Sequence, residues 1–230
     1  MTTTDAGKQL AALAALAYLH PDTVLGVGTG STVARFIDVI GTSDVPVRRA
    51  VATSLDTAQH LRLIGIEPIP LESADEPLLL YVDGADEIDH IGRAIKGGGG
   101  AHACEKRVAS ASITWVCIVD ESKLVDRLGI HAPIPLEVES HALADIAAAV
   151  MALGGSPELR ARSVSDSGNP LVDIRGLDMS DPLHMEDALD AIPGVIACGI
   201  FARRRADTIL VGHEDGSVLT LVPSDPERDR

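Results

Sequence analysis

Thr23-Val24-Leu25-Gly26-Val27-Gly28-Thr29-Gly30-Ser31-Thr32 runs directly into Val33-Ala34-Arg35-Phe36-Ile37-Asp38-Val39-Ile40. Together they read as a buried strand over 23–27, a glycine turn, and a helix over 33–40 with Phe36 and Ile37 on its apolar side. Strand, glycine turn and helix is the repeating step of an α/β fold. Such a turn leaves backbone N–H groups free at a helix N-terminus, and the hydroxyls of Thr29, Ser31 and Thr32 beside them suit a phosphate monoester. A plain tight turn capped by Ser31 or Thr32 is the alternative. Two nucleotide motifs fail in detail. A dinucleotide fingerprint beginning at Gly26 needs a third glycine where Ser31 stands, and a P-loop needs a lysine where Gly30 stands. A small phosphorylated ligand is therefore favoured over a nucleotide.

The step recurs along the first half of the chain. Residues 5–19, with Leu10, Leu13, Leu16 and Leu19 among alanines, predict an amphipathic helix that Pro21 ends. Lys8 falls in its first turn, where a cation opposes the helix dipole, so it either points to solvent or is held for a ligand. Strands are expected over 47–51, 78–82 and 114–119, with an extended edge over 66–71 broken by Pro68 and Pro70. Thr53-Ser54-Leu55-Asp56-Thr57 caps a helix running through Leu61 to Ile64, and Gly65 stops it.

Composition agrees. Of 230 residues, 46% are hydrophobic and only 2% aromatic, so the core is built from Ala, Val, Leu and Ile, the usual filling between helices and a parallel sheet. The length allows one large domain or a domain with a smaller companion. A net charge of −15 repels nucleic acid and anionic membranes, and it requires that local groups attract any phosphate. Cys104, Cys117 and Cys198 are odd in number and lack CxxC spacing, which suggests neither a disulfide framework nor a zinc cluster and fits a reducing cytoplasm. No basic leader with an apolar core is seen at the N-terminus, and no apolar run approaches the ~20 residues of a membrane span.

Two polar stretches carry the chemistry. Asp83-Gly84-Ala85-Asp86-Glu87-Ile88-Asp89 puts carboxylates at the carboxyl end of the apolar run 78–82, where open α/β sheets bind ligands. It fits a metal cluster of Asp83, Asp86, Asp89 and His90, a solvated acidic turn, or catalytic carboxylates facing Lys96; the EF-hand spacing is missing. Lys96-Gly97-Gly98-Gly99-Gly100-Ala101-His102-Ala103-Cys104-Glu105-Lys106 follows. Four glycines lose much backbone freedom on folding, so something must approach that backbone closely, and an anion or an oxygen-rich small molecule is the expected visitor. The chain has four lysines, Lys8, Lys96, Lys106 and Lys123, and two of them bracket this run. A flexible loop before a salt-bridged helix over 105–111 is the bland reading. Cys104 lacks a basic partner at fixed spacing and reads as an inert cysteine.

From Pro133 the rhythm changes to strand (134–139), helix (142–153), strand (159–164), a turn at Asp166-Ser167-Gly168-Asn169, strand (171–174), helix (186–191) and strand (195–200). This is βαββαβ, the ferredoxin-like unit. A hairpin over 208–211 and 217–221 returns to the first sheet, and the charged tail past Pro223 is expected to fray. The expected architecture is a Rossmann-like, mostly parallel sheet over 1–130 and 206–230, with a smaller ferredoxin-like α+β domain inserted over 131–205.

These blocks, in order, resemble the type A ribose-5-phosphate isomerase family: Gly26 to Thr32, Tyr81-Val82-Asp83-Gly84-Ala85-Asp86-Glu87-Ile88, Ile95-Lys96-Gly97-Gly98-Gly99, Glu105-Lys106, Asp120-Glu121-Ser122-Lys123, Pro133-Ile134-Pro135-Leu136-Glu137-Val138, Ser167-Gly168-Asn169 and Ile192-Pro193-Gly194-Val195. The resemblance implies interconversion of D-ribose 5-phosphate and D-ribulose 5-phosphate in the pentose phosphate pathway, without cofactor or metal, by a cytoplasmic homodimer or homotetramer. It implies that Thr29, Gly30, Ser31 and Thr32 hold the phosphate, with Lys8 near it. Asp83, Gly84, Ala85, Asp86, Lys96, Gly97, Gly98 and Gly99 would surround the sugar, Lys123 would complete the shell, and Glu105 would transfer the proton. Lys96 is the cation placed for a developing oxyanion, and Asp83 a shuttle between the two oxygens. Two rivals share the general topology: a sugar-phosphate-sensing domain, which needs no Glu105 with Lys96, and a coenzyme A transferase, whose glutamate forms an acyl intermediate.

Overall fold

Leu78–Asp83, an apolar run ending in a carboxylate, forms a strand in the middle of the largest sheet, as its composition requires of a strand covered on both faces. The computed structural model describes residues 3–74 and 77–224; the tail expected to fray falls outside them from residue 225 on. In chain order the elements are α1 (Thr3–Ala15), β1 (Val24–Val27), α2 (Ser31–Gly41), β2 (Arg49–Ala52), α3 (Leu55–Leu63), β3 (Glu67–Pro68), β4 (Leu78–Asp83), β5 (Glu87–Asp89), β6 (Ala94–Ile95), α4 (His102–Ser110), β7 (Ser112–Asp120) and β8 (Leu124–Val125). The second half supplies β9 (Ile134–Val138), α5 (Leu143–Ala152), β10 (Ser156–Val164), β11 (Pro170–Arg175), α6 (Pro182–Asp190), β12 (Val195–Cys198), β13 (Ile200–Phe201), β14 (Thr208–Gly212) and β15 (Val218–Leu221).

The first sheet has the order β15-β14-β7-β4-β1-β2-β3, parallel throughout except for the antiparallel edge hairpin β14-β15. Its strand order reverses direction between β1 and β4, which places the carboxyl ends of those strands at a topological switch point, the ligand crevice of doubly wound sheets. The few aromatics are concentrated: Trp115 lies between Tyr81 and Phe201, with ring centroids 6.0 and 5.7 Å away, and all three are buried. Each such ring stabilises the fold by about 2 kcal/mol.

The second sheet, β10-β11-β9-β12, is antiparallel, which is the strand order of the expected βαββαβ unit. A third sheet, β13-β6-β5-β8, went unread in the sequence because its strands of two or three residues are too short to show a period. It also breaks the strand expected over 195–200. The chain leaves the second sheet at Gly199 and pairs Ile200–Phe201 with β6 instead. Gly199 N–H donates to the Pro135 carbonyl at 2.7 Å and its own carbonyl accepts from Lys96 N–H at 2.9 Å. A Cβ there would stand 2.3 Å from the Lys96 oxygen, so the bend needs glycine. We propose 1–130 with 206–230, and 131–205, as the domain division. In its support, each of the first two sheets draws its strands from one part alone, while the third straddles the seam.

Some bounds shift. The first helix begins at Thr3, so Lys8 belongs to its second turn rather than its first. The extended edge over 66–71 contracts to Glu67–Pro68, since Pro70 opens a short 3-10 turn, Leu71–Ser73.

Candidate active site

Alternation along β4 puts Tyr81 and Asp83 on one face, and the phenol donates to Asp83 Oδ2. Asp83 Oδ1 accepts the Gly84 N–H at 2.7 Å and the Thr29 N–H at 3.1 Å. Gly28 makes this possible, because Asp83 lies directly against its bare Cα. The strand-end carboxylate is thus tied to the glycine turn after β1.

Lys96, just past β6, is 3% exposed and stands between carboxylates: Nζ is 2.7 Å from Asp83 Oδ2 and 3.3 Å from Glu105 Oε2. It also donates to the Gly84 carbonyl at 2.6 Å. Burial alone would pull the ammonium pKa down, but Asp83 and Glu105 outweigh it and the net shift is upward. Glu105 sits in the first turn of α4, a position favourable to negative charge. It is 2% exposed, and Oε2 meets the Lys96 charge without an aligned hydrogen bond. Burial pushes its carboxyl up to about 8, Lys96 opposing and Asp83 and Asp86 adding to the rise. That range suits a group that must both take and return a proton near neutrality.

A cleft of about 530 Å³ opens over these groups. Its wall includes Lys8, Thr29 to Thr32, Gly84, Ala85, Asp86, Lys96, Gly97 to Gly99, Glu105 and Lys123. Asp83 is fully buried beneath them. At one end Gly30, with φ 101°, opens the N-terminus of α2 without a side-chain cap on its amides. Thr29 Oγ1 lies 3.0 Å from Ser54 Oγ, the cap of α3. Asp86 Oδ2 accepts the Gly98 N–H at 2.7 Å.

The glycine run is explained partly by the protein itself. Gly97 and Gly100 have φ of 109° and 78°, and Cβ atoms at 97, 98 and 100 would strike His102, Asp86 and Leu171. Of the four, only Gly99 has room for a Cβ, which would meet Thr29 Cγ2 at 3.8 Å. The lysine count misled in one case. Lys106 lies on the far face of α4, paired with Glu186 and 3.6 Å from Asp190, and stays out of the cleft. Asp89 binds Arg93 at 2.6 Å, and Glu87 accepts the N–H groups of Gly129, His131 and Ala132, so neither joins Asp83 in a cluster. Among the described residues no group of three His, Cys, Asp or Glu is arranged to hold a metal ion. Cys104 is half-buried, and burial raises its thiol pKa.

The family question is decided by comparison with known proteins. Residues 49–216 match the model of ribose 5-phosphate isomerase A (phosphoriboisomerase A).

The chain belongs to the ribose 5-phosphate isomerase A family.

A family member from Acidithiobacillus ferrooxidans, ribose-5-phosphate isomerase A, is 46% identical over 215 residues, 94% of this chain and 97% of its own. The crystal structure of ribose 5-phosphate isomerase A from Neisseria gonorrhoeae superposes with a TM-score of 0.94 at 42% identity, covering 98% of this chain and 100% of that one. A D-ribose-5-phosphate isomerase solved in complex with phospho-erythronic acid gives a TM-score of 0.88 at 36% identity, over 94% and 97% of the two chains.

Several residues that line the cleft carried no site signal in the sequence: Ser54, Asp56, Thr57, His60 and Asp166. Ser54 and Thr57 read as helix-capping residues; Ser54 is the cap of α3, its Oγ accepting the Thr57 N–H. Asp166 arrives from the β10–β11 turn, where its Oδ2 accepts the Leu55 N–H at 3.1 Å across 111 residues of sequence. No local pattern announces such a contact.

Proposed function

We propose that this chain interconverts D-ribose 5-phosphate and D-ribulose 5-phosphate, with Glu105 as the single proton-carrying base. One observation carries the reading: the Lys96 ammonium bridges Asp83 and Glu105 at 2.7 and 3.3 Å, in a cleft whose other end is the amide- and hydroxyl-rich turn Thr29 to Thr32. The turn and helix N-terminus, with Lys8 and Lys123 on the same wall, accept the phosphate and align the open-chain sugar. Local cations do this against a net charge of −15.

Glu105 takes the proton from C2 of the aldose. The electron pair forms the C1=C2 bond and the carbonyl oxygen becomes the enediolate anion, beside Lys96. Asp83 carries the hydroxyl proton from O2 to O1, restoring a carbonyl at C2, and Glu105 delivers its proton to C1. Bonds and protons balance without an outside oxidant, reductant or cofactor. Asp86, tied to Gly98, holds a sugar hydroxyl. Phospho-erythronic acid, the ligand of one relative, supports this reading, since its planar carboxylate offers two coplanar oxygens far from a phosphate, much as O1 and O2 of the enediolate lie in one plane across C1 and C2.

The location we propose is the cytoplasm and the assembly a homodimer or homotetramer. Cys104, Cys117 and Cys198 are free thiols, which a reducing compartment preserves, and Leu159 and Val164 are exposed on edge strand β10, apolar surface that self-association covers. Among the described residues no helix is long and apolar enough to cross a membrane. The test is ribulose 5-phosphate formation by EDTA-treated protein, run in deuterium oxide. Turnover with solvent deuterium entering the carbon-bound position supports the scheme; absence of turnover removes it.

A further inference from the structure

The second sheet also grips, through one side chain, the glycine loop that lines the cleft. Arg160, on β10, lies where the β10–β11 register slips between Leu159 and Val164, and such irregularities re-aim a side chain. Its guanidinium is held from behind by Asp173 of β11, Nε at 2.9 Å from Oδ2 and Nη2 on Oδ1 at 2.5 Å. The remaining nitrogen, Nη1, donates to two successive carbonyls of the glycine loop, Gly97 at 3.3 Å and Gly98 at 3.1 Å. A planar, two-pronged cation can grip a carboxylate on one edge and present a fixed donor on another; an ammonium cannot.

Peptide planarity gives this grip a consequence in the cleft. No cis bond occurs among the described residues, so each carbonyl points opposite to the N–H that follows it. With the Gly97 carbonyl on Arg160, the Gly98 N–H turns to Asp86. With the Gly98 carbonyl on Arg160, the Gly99 N–H turns away from β10. It makes no hydrogen bond among the described residues, Gly99 lines the cleft, and a Cβ there would meet nothing nearer than Thr29 Cγ2 at 3.8 Å.

We propose that Arg160, locked by Asp173, is a positioning residue for the isomerisation: it sets the Gly98–Gly99 peptide so that the Gly99 N–H faces the substrate oxygen on which charge develops. The proposal rests on the isomerase reading above. It assigns the smaller unit a part in catalysis, holding the donor loop of the larger one.

The experiment compares wild type with Arg160→Lys and Asp173→Asn, and with the double variant. In each, steady-state isomerisation, inhibition by phospho-erythronate, inhibition by inorganic phosphate and thermal unfolding are measured. A loop displaced by about 1 Å should lower kcat about 10- to 100-fold while KM and phosphate inhibition stay within about threefold. Phospho-erythronate inhibition should weaken in parallel with kcat/KM, and the double variant should lose no more than the worse single one. A purely structural fastening would lower the unfolding temperature and weaken both inhibitors alike. Wild-type kcat in either folded variant overturns the proposal, as do equal weakening of the two inhibitors and failure of both variants to fold. A wild type that forms no ribulose 5-phosphate fails the underlying reading instead.

Discussion

Asp83 occupies the space where a side chain on Gly28 would begin: a Cβ at position 28 would fall 1.9 Å from Asp83 Cγ. The glycine after β1 and the carboxylate after β4 are a single fitted pair, joined further by the Thr29 N–H on Asp83 Oδ1. Gly28→Ala therefore drives the carboxylate off Lys96. We expect kcat to fall by about 100-fold and stability by about 1–3 kcal/mol from overpacking. Kinetics and thermal unfolding read the two effects separately. A kcat within twofold of wild type contradicts the role given to Asp83.

Glu105 links rate and stability through one titration. The proposed base must be ionised, so kcat/KM should rise with pH through about 8 and then level. Because burial raises this carboxyl from its ordinary 4.5, the native state keeps a proton that the unfolded chain releases between about 4.5 and about 8. Its contribution to stability is therefore full below 4.5 and is lost as pH climbs through that window. Glu105→Gln should abolish turnover while phospho-erythronate still binds. It should also gain stability relative to wild type at pH 9 compared with pH 5. Denaturant titrations at both values test this, and a gain that shrinks with pH refutes it.

His102 predicts the opposite slope at low pH. It is fully buried beneath Gly97, with Nε2 3.2 Å from the Ala197 carbonyl oxygen and Nδ1 without a partner. Burial lowers its pKa from 6.5 to about 4, the Ala197 contact opposing and Lys106 and Arg160 adding. The unfolded chain takes up a proton that the native state refuses, so stability falls by about 3 kcal/mol as pH drops from 6.5 to 4. His102→Gln, which keeps a donor but cannot titrate, should flatten that segment of the stability curve. An unchanged slope assigns the acid sensitivity elsewhere.

Lys8 owes its place to a backbone contact. A Cβ on Gly212 would lie 1.9 Å from the Gly7 carbonyl oxygen, so α1 crosses β14 at the closest distance glycine allows. Gly212→Ala should push α1 outward and withdraw Lys8 from the cleft. We expect Gly212→Ala and Lys8→Ala each to lower kcat/KM by about tenfold, in the range for one charged hydrogen bond, and the double variant to lose little more. Additive losses would separate the helix crossing from the lysine.

Much of the layout is legible because its signals are local. The apolar run before Asp83 is long enough to be a central strand, Gly65 stops its helix by backbone geometry, and the βαββαβ rhythm needs only the spacing of elements, whereas the first helix ends at Ala15, well before Pro21. The short strands Glu87–Asp89, Ala94–Ile95 and Ile200–Phe201 carry no period and stayed hidden. Lysine counting singled out Lys96 and Lys106 alike, although neighbours only ten residues apart face opposite ways, one toward Asp83 and the other toward Glu186.

By itself the sequence determined the α/β class, the glycine turn before α2, the family, and which residue types stand at strand ends. Those properties follow from local backbone preference and from side-chain order along the chain. Only the tertiary structure decided that Lys96 lies between Asp83 and Glu105, that Asp166 comes from the second sheet to the cleft and Arg160 from the same sheet to its glycine loop, and that Gly28 is shaped by Asp83. A charge pair or a close approach between distant segments depends on how sheets pack and how much water they exclude, and neither is encoded in any short stretch of residues.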